Sequence, residues 1–255
     1  MTRVTMVPDA ADPDLPVAAP AWRLPPGVGA LQTGRGTAPG YGFNLADHVG
    51  APAAAVVANR AALHRALPEV RRIAWLRQVH GTRVVSLPVT GHPEADAAVS
   101  RVPGEACVVL TADCLPVLFC DRDATVVAAA HAGWRGLAAG VLEHVVTAMQ
   151  VDPAALRVWL GPAIGPRAFE VGPEVRAAFI AADGGASACF EPSLRPGHWM
   201  ADLPGLARRR LRALGVDAVA GGAHCTFEES AQWFSYRRQT DCGRMASLIW
   251  LRPPG

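Results

Sequence analysis

The chain has 255 residues, of which 51% are hydrophobic and 18% are charged, and its formal net charge is +2. A chain of this length buries a substantial core as one domain, and this balance of charge and hydrophobicity excludes an intrinsically disordered protein. All 24 basic residues are arginine, but their densest run is only residues 208–212 on a predicted helix, so we expect no nucleic-acid partner.

Neither export nor membrane insertion is predicted. Residues 1–17 lack the apolar core of a signal peptide. The most apolar region, residues 107–130, is interrupted by three aspartates and one arginine, so it lacks the roughly 20 uninterrupted apolar residues of a membrane span. We therefore expect a cytoplasmic protein without a membrane partner, and we also expect it to be a monomer. Its six cysteines should be reduced there, and they show no CxxC spacing of a structural zinc ribbon.

The predicted strands and helices mix without strict alternation. Residues 1–25, rich in Pro, Ala and Asp, are predicted to form a flexible tail, and residues 26–255 a single domain. Short Val-rich runs predict strands and helical periodicity predicts helices. The predicted strands are 28–33, 73–79, 83–89, 107–111, 117–120, 125–130, 156–160, 216–220 and 246–251, and the predicted helices are 52–67, 135–149, 173–182 and 204–214. This order predicts one α/β domain with a mixed sheet.

Three of the predicted strands end in residues that can bind a metal. IAWLRQVHG contains His80, VVLTADCLP contains Cys114, and TVVAAAHAGWRG contains His131. Side chains at strand ends of α/β folds sit on a rigid scaffold and face a cleft. Each residue alone also has a structural interpretation, as a buried histidine, a small core thiol or a turn cap. Their shared position favours one common site.

Two histidines and one cysteine supply the three protein ligands that a catalytic zinc ion uses, with a fourth position left for water or substrate. Their wide separation in the chain suits a site assembled from different strands. Asp113, beside the cysteine, is expected to orient His80 or His131 by a hydrogen bond. The competing interpretation is a cysteine nucleophile with a histidine base, which leaves the other histidine unexplained.

A candidate anion site follows His131. Residues 132–136 turn the chain from a predicted strand into a predicted helix, whose first amides and dipole favour an anion. Arg135 adds a forked donor suited to phosphate, and Arg35 in the loop TGRGTAPG is a second candidate. The alternative is an ordinary strand–helix turn that needs glycine for its backbone angles.

The C-terminal stretch 225–251 mixes aromatic residues with arginines. Phe234 or Tyr236 is a candidate platform on which a planar base stacks. The favoured interpretation is instead an amphipathic helix that packs its aromatic side chains against the core.

Seven segments in a fixed order form a specific pattern: FNLADHVG (43–50), VVANRAAL (56–63), RQVHG (77–81), TADCLPVLF (111–119), HAGWRG (131–136), GPAIGPRAFEVG (161–172) and SYRRQTDCGRMASLIWL (235–251). This pattern resembles the YfiH or PgeF family, also described as the laccase-domain or multicopper polyphenol oxidase family. The resemblance extends over about residues 27–252, which is nearly the whole chain.

The resemblance implies a compact α/β domain with mixed sheets layered between helices, similar to the catalytic domain of cytotoxic necrotizing factor. It implies a metal centre of His80, Cys114 and His131, with zinc as the cofactor and copper as the alternative metal. The implied activity is that of a purine nucleoside phosphorylase, in which adenosine, inosine or methylthioadenosine reacts with phosphate to give the free base and a ribose 1-phosphate.

Adenosine deaminase activity is also attributed to the family. The expected partners are therefore purine nucleosides and phosphate. We take Arg35, Asn44 and Arg135 as the candidate ligands of substrate and phosphate.

The sequence also departs from the family's pattern. Where the family often has GPCIGPCCYEVG, this chain has Ala163, Arg167, Ala168 and Phe169, so cysteine chemistry at these positions is not expected here. The oxidase label fits poorly, because ordinary multicopper oxidases use several His-x-His pairs and this chain has none. Three alternatives stay open: a Cys-dependent hydrolase or amidase that edits peptidoglycan precursors, a copper-dependent polyphenol oxidase, and a non-enzymatic partner protein.

Overall fold

The computed structural model describes residues 15–38 and 40–254. Residues 1–14 of the predicted tail therefore lie outside the described residues. Within the remainder of that segment, residues 17–18 form a short strand that pairs with residues 32–33 of the domain.

The helices and strands have the following bounds. The strands are β1 (Val17–Ala18), β2 (Val28–Thr33), β3 (Arg72–Ala74), β4 (Val84–Ser86), β5 (Ala97–Ser100), β6 (Glu105–Thr111), β7 (Leu115–Asp121), β8 (Val127–Ala132), β9 (Leu156–Leu160), β10 (Glu170–Val171), β11 (Phe190–Pro192), β12 (Trp199–Ala201), β13 (Ala218–Gly221) and β14 (Met245–Leu251). The helices are α1 (Ala53–Arg65), α2 (Trp134–Ala139), α3 (Val141–Met149), α4 (Pro173–Ala182) and α5 (Leu203–Ala213). Short 3-10 turns cover Pro153–Ala155 and Gly184–Cys189.

Two mixed sheets form the centre of the fold. The five-stranded sheet has the order β1-β2-β14-β6-β3, and the six-stranded sheet has the order β13-β9-β7-β8-β5-β4. The pairs β3–β6, β4–β5 and β9–β13 are parallel, and the other neighbours in these sheets are antiparallel. A third, antiparallel sheet has the order β10-β12-β11. This arrangement confirms the predicted mixed α/β fold.

The two large sheets face each other across a shared apolar core. Val109 of β6 and Ile249 of β14 belong to the same buried cluster as Leu118 of β7 and Val127 of β8. Burial of such side chains supplies the main driving force for the packing of the two sheets.

Helices cover the outer faces of both sheets. Leu63 of α1 packs with Val108 of β6 on the outer side of the five-stranded sheet. Val145 of α3 and Leu211 of α5 pack with Val117 of β7 on the outer side of the six-stranded sheet. The molecule therefore has four layers in the order helix, sheet, sheet, helices.

The alternation of side chains along β8 determines where His131 points. Successive side chains of a strand lie on opposite faces. Ala128 and Ala130 contact the helical side, whereas Val127 and Ala129 contact the core between the sheets. His131 is in phase with Val127 and Ala129, so its imidazole lies on the face between the sheets, near the carboxyl end of β8.

The predicted helix 135–149 is wrong in one respect, because the structure divides it into α2 and α3. Gly140 stands between them with a φ of 97°, a left-handed conformation that costs a glycine little and other residues more. The helical periodicity of the sequence does not reveal this break, since apolar residues continue on both sides of it.

Several other boundaries differ from the prediction. The predicted strand 73–79 ends at Ala74, which leaves residues 75–83 as a loop. Strand β5 and the small sheet β10-β12-β11 were not predicted. Residues 222–244 contain no helix, so the expected amphipathic helix is wrong, although two of the aromatic side chains of this stretch, Trp233 and Phe234, are buried as expected. Within the described residues, no helix combines the length and apolar character needed to cross a membrane.

Candidate metal centre and cavity

The structure brings the three predicted metal ligands together. His80 lies in the loop between β3 and β4, Cys114 in the turn between β6 and β7, and His131 in β8. The antiparallel pairing of β7 with β8 places Leu115 opposite Ala132, so the turn before β7 meets the end of β8. The ligand atoms of the three side chains all lie within 4.8 Å of one another.

The side chains of the centre differ in exposure. His131 is buried, Cys114 is half-buried and His80 is exposed. Sγ of Cys114 lies 3.8 Å from Nε2 of His80. The two imidazole rings meet edge to face, with centroids 4.7 Å apart and planes at 74°. The centre is therefore accessible on the His80 side and enclosed on the His131 side.

Asp96, which the sequence analysis did not single out, holds both histidines. Its fully buried carboxylate accepts a hydrogen bond from Nδ1 of His131 at 2.8 Å. The same carboxylate accepts from the amides of Val79, His80 and Gly81 at 3.1, 2.9 and 2.7 Å. Consecutive amides of this kind form a concave nest for an anion.

The nest explains the unusual backbone of His80, whose φ is 61°. A non-glycine residue with positive φ is strained and persists only where its surroundings hold it. The carboxylate of Asp96 supplies this restraint. A further restraint comes from Gln78, whose side chain donates to and accepts from the backbone of Leu110 at 2.8 and 2.7 Å.

Charges around the centre favour a thiolate beside an imidazolium. Burial disfavours the Cys114 thiolate, but the positive charge of His131 and hydrogen bonds from both histidines lower the pKa of Cys114 below its ordinary value. Burial also disfavours the charged form of His131, yet the Cys114 thiolate and the Asp96 carboxylate raise its pKa. Burial opposes the charge of Asp96 as well, but hydrogen bonds from His131 and the amide of Gly81 lower its pKa.

The donor set fits a zinc ion by two tests. In tetrahedral zinc sites, Zn–S is about 2.3 Å and Zn–N about 2.0 Å, which places sulfur and nitrogen ligands about 3.5 Å apart, close to the 3.8 Å observed. Nδ1 of His131 is occupied by Asp96, which leaves Nε2 for the centre. A carboxylate behind a metal-binding histidine is the usual arrangement.

Gly133 leaves the room that the centre needs. A Cβ at this position would lie 2.9 Å from Cδ2 of His80 and 3.0 Å from Sγ of Cys114. Any larger residue would therefore displace two of the three ligands. Glycine is needed at position 133 for this close approach and not for a positive φ, since the φ of Gly133 is −61°.

A cavity of about 520 Å³ opens beside the centre. Its lining includes all three metal ligands and four side chains with apolar surface, namely Leu110, Ile164, Phe169 and Tyr236. This volume is in the usual range for small-molecule sites. Of the two predicted stacking platforms, Tyr236 lines the cavity, whereas Phe234 is buried in a separate cluster with Trp233 and Met245.

Asp113 does not contact either histidine in the way that the sequence predicts. Its Oδ1 accepts from the hydroxyl of Thr226 at 2.6 Å, and its Oδ2 accepts from the amide of Arg237 at 2.7 Å. The orienting role expected of Asp113 is filled by Asp96. Proximity in sequence to Cys114 was therefore a poor guide, because the fold turns the Asp113 side chain towards the C-terminal loop.

None of the three predicted phosphate ligands is among the residues that line the cavity. The Arg35 guanidinium donates to the carbonyl of Ser230 and lies 5.6 Å from the ring of Phe234. Arg135 is exposed, and its guanidinium lies 4.6 Å from the ring of its neighbour Trp134. Asn44 is buried and accepts from the amide of Arg244 at 2.8 Å.

The cationic residues that do line the cavity were missed as ligands. They are Arg237 and Arg244. A signal was present, because both arginines lie in the aromatic and Arg-rich stretch that the sequence analysis connected with base stacking. Asp96 could have been identified in the sequence as the single carboxylate inside the small apolar run ADAAV.

The four-layer fold and this centre define the class of protein, which is an α/β protein with a His-Cys-His metal-binding site. The sequence of residues 29–252 matches the family described as multi-copper polyphenol oxidoreductase laccase. The chain therefore belongs to this family.

Two relatives match this chain over almost the whole length of both proteins. A Pseudomonas aeruginosa protein named purine nucleoside phosphorylase is 53% identical over 237 residues, which cover 91% of this chain and 97% of the relative. The Escherichia coli K12 protein named purine nucleoside phosphorylase YfiH is 50% identical over 241 residues, with the same coverage of both chains.

Solved structures show the same fold. A crystal structure of a Neisseria meningitidis protein aligns with a TM-score of 0.89 at 45% identity, covering 93% of this chain and 100% of that chain. The Bacillus licheniformis protein YfiH aligns with a TM-score of 0.82 at 25% identity, covering 88% and 93%.

Proposed function

We propose that this protein is a purine nucleoside phosphorylase that cleaves adenosine, inosine or methylthioadenosine with phosphate. The observation that carries the proposal is the cavity, which brings a His-Cys-His centre together with apolar walls and two arginines. The names of the two relatives point in the same direction. We place the reaction in the cytoplasm, where the six free cysteines stay reduced.

In this reaction, an oxygen of phosphate forms a bond to C1′ of the ribose while the bond from C1′ to the purine nitrogen breaks. The bonding electron pair leaves with the base, which takes up a proton, and the sugar is released as its 1-phosphate. The apolar side chains of Leu110, Ile164 and Phe169 are suited to enclose the planar base, and Tyr236 to stack on it. Holding both reactants in one cavity lowers the entropic part of the barrier.

We propose zinc as the metal held by His80, Cys114 and His131. When bound, zinc supplies a Lewis acid that stabilises negative charge developing on the substrate. Copper ranks above zinc in intrinsic affinity for such ligands, so metal content must be measured on protein prepared without added copper.

Incubation of the purified protein with adenosine, with and without phosphate, tests the proposal by chromatography of the products. Adenine formed only with phosphate supports phosphorolysis, and inosine formed without phosphate shows deamination. Cys114→Ala should abolish both products, whereas Cys189→Ala, at a half-buried cysteine outside the centre, should leave them unchanged. No product from the wild type contradicts the nucleoside assignment.

The lowered pKa of Cys114 favours a second candidate, a cysteine-dependent hydrolase. Alkylation with iodoacetamide separates the two. If the thiolate is a zinc ligand, chelator-treated protein is alkylated at Cys114 and added zinc prevents it. Activity that survives a strong chelator and is lost on alkylation would favour the hydrolase.

A further inference from the structure

We propose that Arg237 and Arg244 form the anion subsite of the cavity and hold inorganic phosphate there. This inference rests on the proposed phosphorylase function and assigns its second substrate to named residues. It replaces Arg35 and Arg135, which the sequence predicts for this role and which lie outside the set of residues lining the cavity.

Each of the two guanidiniums keeps one edge free. Nη1 of Arg237 donates to the carbonyl of Glu170 at 3.0 Å. Nη1 of Arg244 donates to the carbonyls of Cys242 and Gly243 at 2.8 and 3.1 Å. Among the described residues, neither arginine donates from Nε or Nη2, and neither forms an ion pair with a carboxylate. The Nε–Nη2 edge is the fork that binds two oxygens of a phosphate.

The neighbouring Arg238 is an arginine of this segment whose guanidinium hydrogen bonds stabilise the loop. Its Nη1 donates to the carbonyls of Thr226 and Phe227, and its Nη2 donates to the carbonyl of Trp233. Arg238 ties the loop together with both Nη groups. Among the described residues, Arg237 and Arg244 donate to backbone carbonyls only from Nη1. Each guanidinium is therefore held in place and can still bind a ligand with its other edge.

Buried polar side chains fix the backbone of both arginines. The amide of Arg237 donates to Asp113, which is itself held by Thr226. The amide of Arg244 donates to Oδ1 of buried Asn44. Asp113 adopts a φ of 93°, a strained conformation of the kind that concentrates at functional sites. Asp113 and Asn44, which the sequence singled out, therefore position the arginines of the cavity.

The charge of the cavity wall also favours an anion. The lining contains the guanidiniums of Arg237 and Arg244 and one carboxylate among the described residues, that of Asp113. That carboxylate already accepts two hydrogen bonds. Positively charged side chains that face a cleft raise the local concentration of anions.

Steady-state phosphorolysis of inosine at varied phosphate tests the subsite. Arg237→Ala and Arg244→Ala should each raise the KM for phosphate about 10- to 100-fold, the loss expected for a hydrogen bond to a charged group. The KM for inosine and the zinc content should stay unchanged. Arg237→Lys and Arg244→Lys should recover part of the loss, because they keep the charge but lose the fork.

Two further variants serve as comparisons. Arg212→Ala, at an exposed arginine on α5, should keep the wild-type KM for phosphate. Arg135→Ala tests the sequence-based alternative. A raised KM for phosphate in Arg135→Ala, with wild-type values in the Arg237 and Arg244 variants, would overturn the subsite. If an alanine variant does not fold by circular dichroism, the lysine variant at the same position decides.

Equilibrium dialysis with radiolabelled inorganic phosphate separates failure of the subsite from failure of the proposed function. If the wild type binds phosphate, the alanine variants do not, and no nucleoside is cleaved, the subsite is supported and phosphorolysis is rejected. Phosphorolysis with an unchanged KM for phosphate in both alanine variants rejects the subsite and keeps the function. Absence of phosphate binding by the wild type rejects the subsite in either case.

Discussion

At the scale of single residues, the centre depends on a carboxylate that does not touch the metal position. Asp96 joins the loop that carries His80 to the strand that carries His131, through four hydrogen bonds from amides and an imidazole. Every one of these partners donates, so the site requires a group that only accepts. This requirement distinguishes a carboxylate from an amide of the same shape.

Asp96→Asn tests this role directly. The amide nitrogen of asparagine must face at least one of the donors that the carboxylate accepted from, so His131 or the turn at His80 loses its restraint. We expect zinc affinity to fall about 10- to 100-fold, as on removal of partners behind metal ligands. Competition with a chromophoric chelator measures the affinity.

Asp121→Asn is the matched control for this substitution. Asp121 is also buried and accepts from the amides of Thr125 and Val126, but it lies outside the centre. This variant should lose stability and keep its zinc affinity. Equal zinc affinities in wild type and Asp96→Asn would show that Asp96 has no positioning role.

At the scale of elements, two connections build the site. The turn from β8 into α2 brings the backbone at Gly133 against His80 and Cys114. The loop 222–244 carries Tyr236 and Arg237 into the cavity wall. Both are irregular segments on a rigid scaffold of strands, which is where binding residues usually concentrate.

Gly133→Ala should impair the centre far more than it impairs the fold. The added methyl group would lie about 3 Å from two ligands, and overpacking of this kind costs about 1–3 kcal/mol. We expect loss of zinc binding and activity with a modest drop in melting temperature. Gly184→Ala, where a Cβ would meet no atom within 4 Å, is the control. Retention of zinc by Gly133→Ala would contradict the close packing.

The loop 222–244 is organised by Glu229, which makes it sensitive to acid. Its carboxylate accepts from Nδ1 of His224, the amide of Cys225 and Nε1 of Trp233. Burial opposes the charge, but the hydrogen bonds from His224 and Cys225 lower the pKa of Glu229 below its usual value. A carboxyl with a lower pKa in the folded state stabilises the fold above its unfolded pKa of about 4.3, and this contribution is lost as pH falls through the folded value.

Thermal unfolding of wild type and Glu229→Gln between pH 7 and pH 3 measures this effect. The variant should melt at a lower temperature at pH 7, and the difference should shrink on acidification. Glu191→Gln, at an exposed glutamate on β11, should follow the wild-type curve. A difference between wild type and Glu229→Gln that stays constant with pH would rule out the carboxylate as its source.

At the scale of the whole molecule, the centre joins segments from both large sheets. Cys114 follows β6 of the five-stranded sheet and precedes β7 of the six-stranded sheet. His131 belongs to the six-stranded sheet, and His80 lies between strands of different sheets. A metal held by all three therefore links the two sheets at one end of their shared core.

Removal of the metal should lower the stability of the whole fold. A ligand that binds only the native state stabilises it by about 2.7 kcal/mol at a free concentration 100 times its Kd. For a chain of this size, that energy corresponds to a shift in melting temperature of about 5–10 °C. Calorimetry of chelator-treated protein with and without zinc measures the shift. The melting temperature of His80→Ala should rise only slightly on addition of zinc. That of His92→Ala, at an exposed histidine, should rise as much as in the wild type. Equal rises in the two variants would contradict the link between the sheets.

From the residues alone, we could predict the mixed α/β class, most of the long strands and the three metal ligands. These follow from local properties: an apolar run of strand length, a helical period, and a metal-binding side chain where such a run ends. Weakly periodic segments were not predicted, among them β5 and the small sheet β10-β12-β11, because short strands carry too few residues to show a pattern.

The polar groups that serve the centre and the cavity could be identified only from the packing of the folded chain. Asp96 and not Asp113 holds His131, and Arg237 and Arg244 rather than Arg35 and Arg135 line the cavity. These partnerships join residues that are far apart in the chain and lie in or next to loops. The physical reason is that a side chain's partner depends on where remote segments pack, and a loop has no period from which that packing can be read.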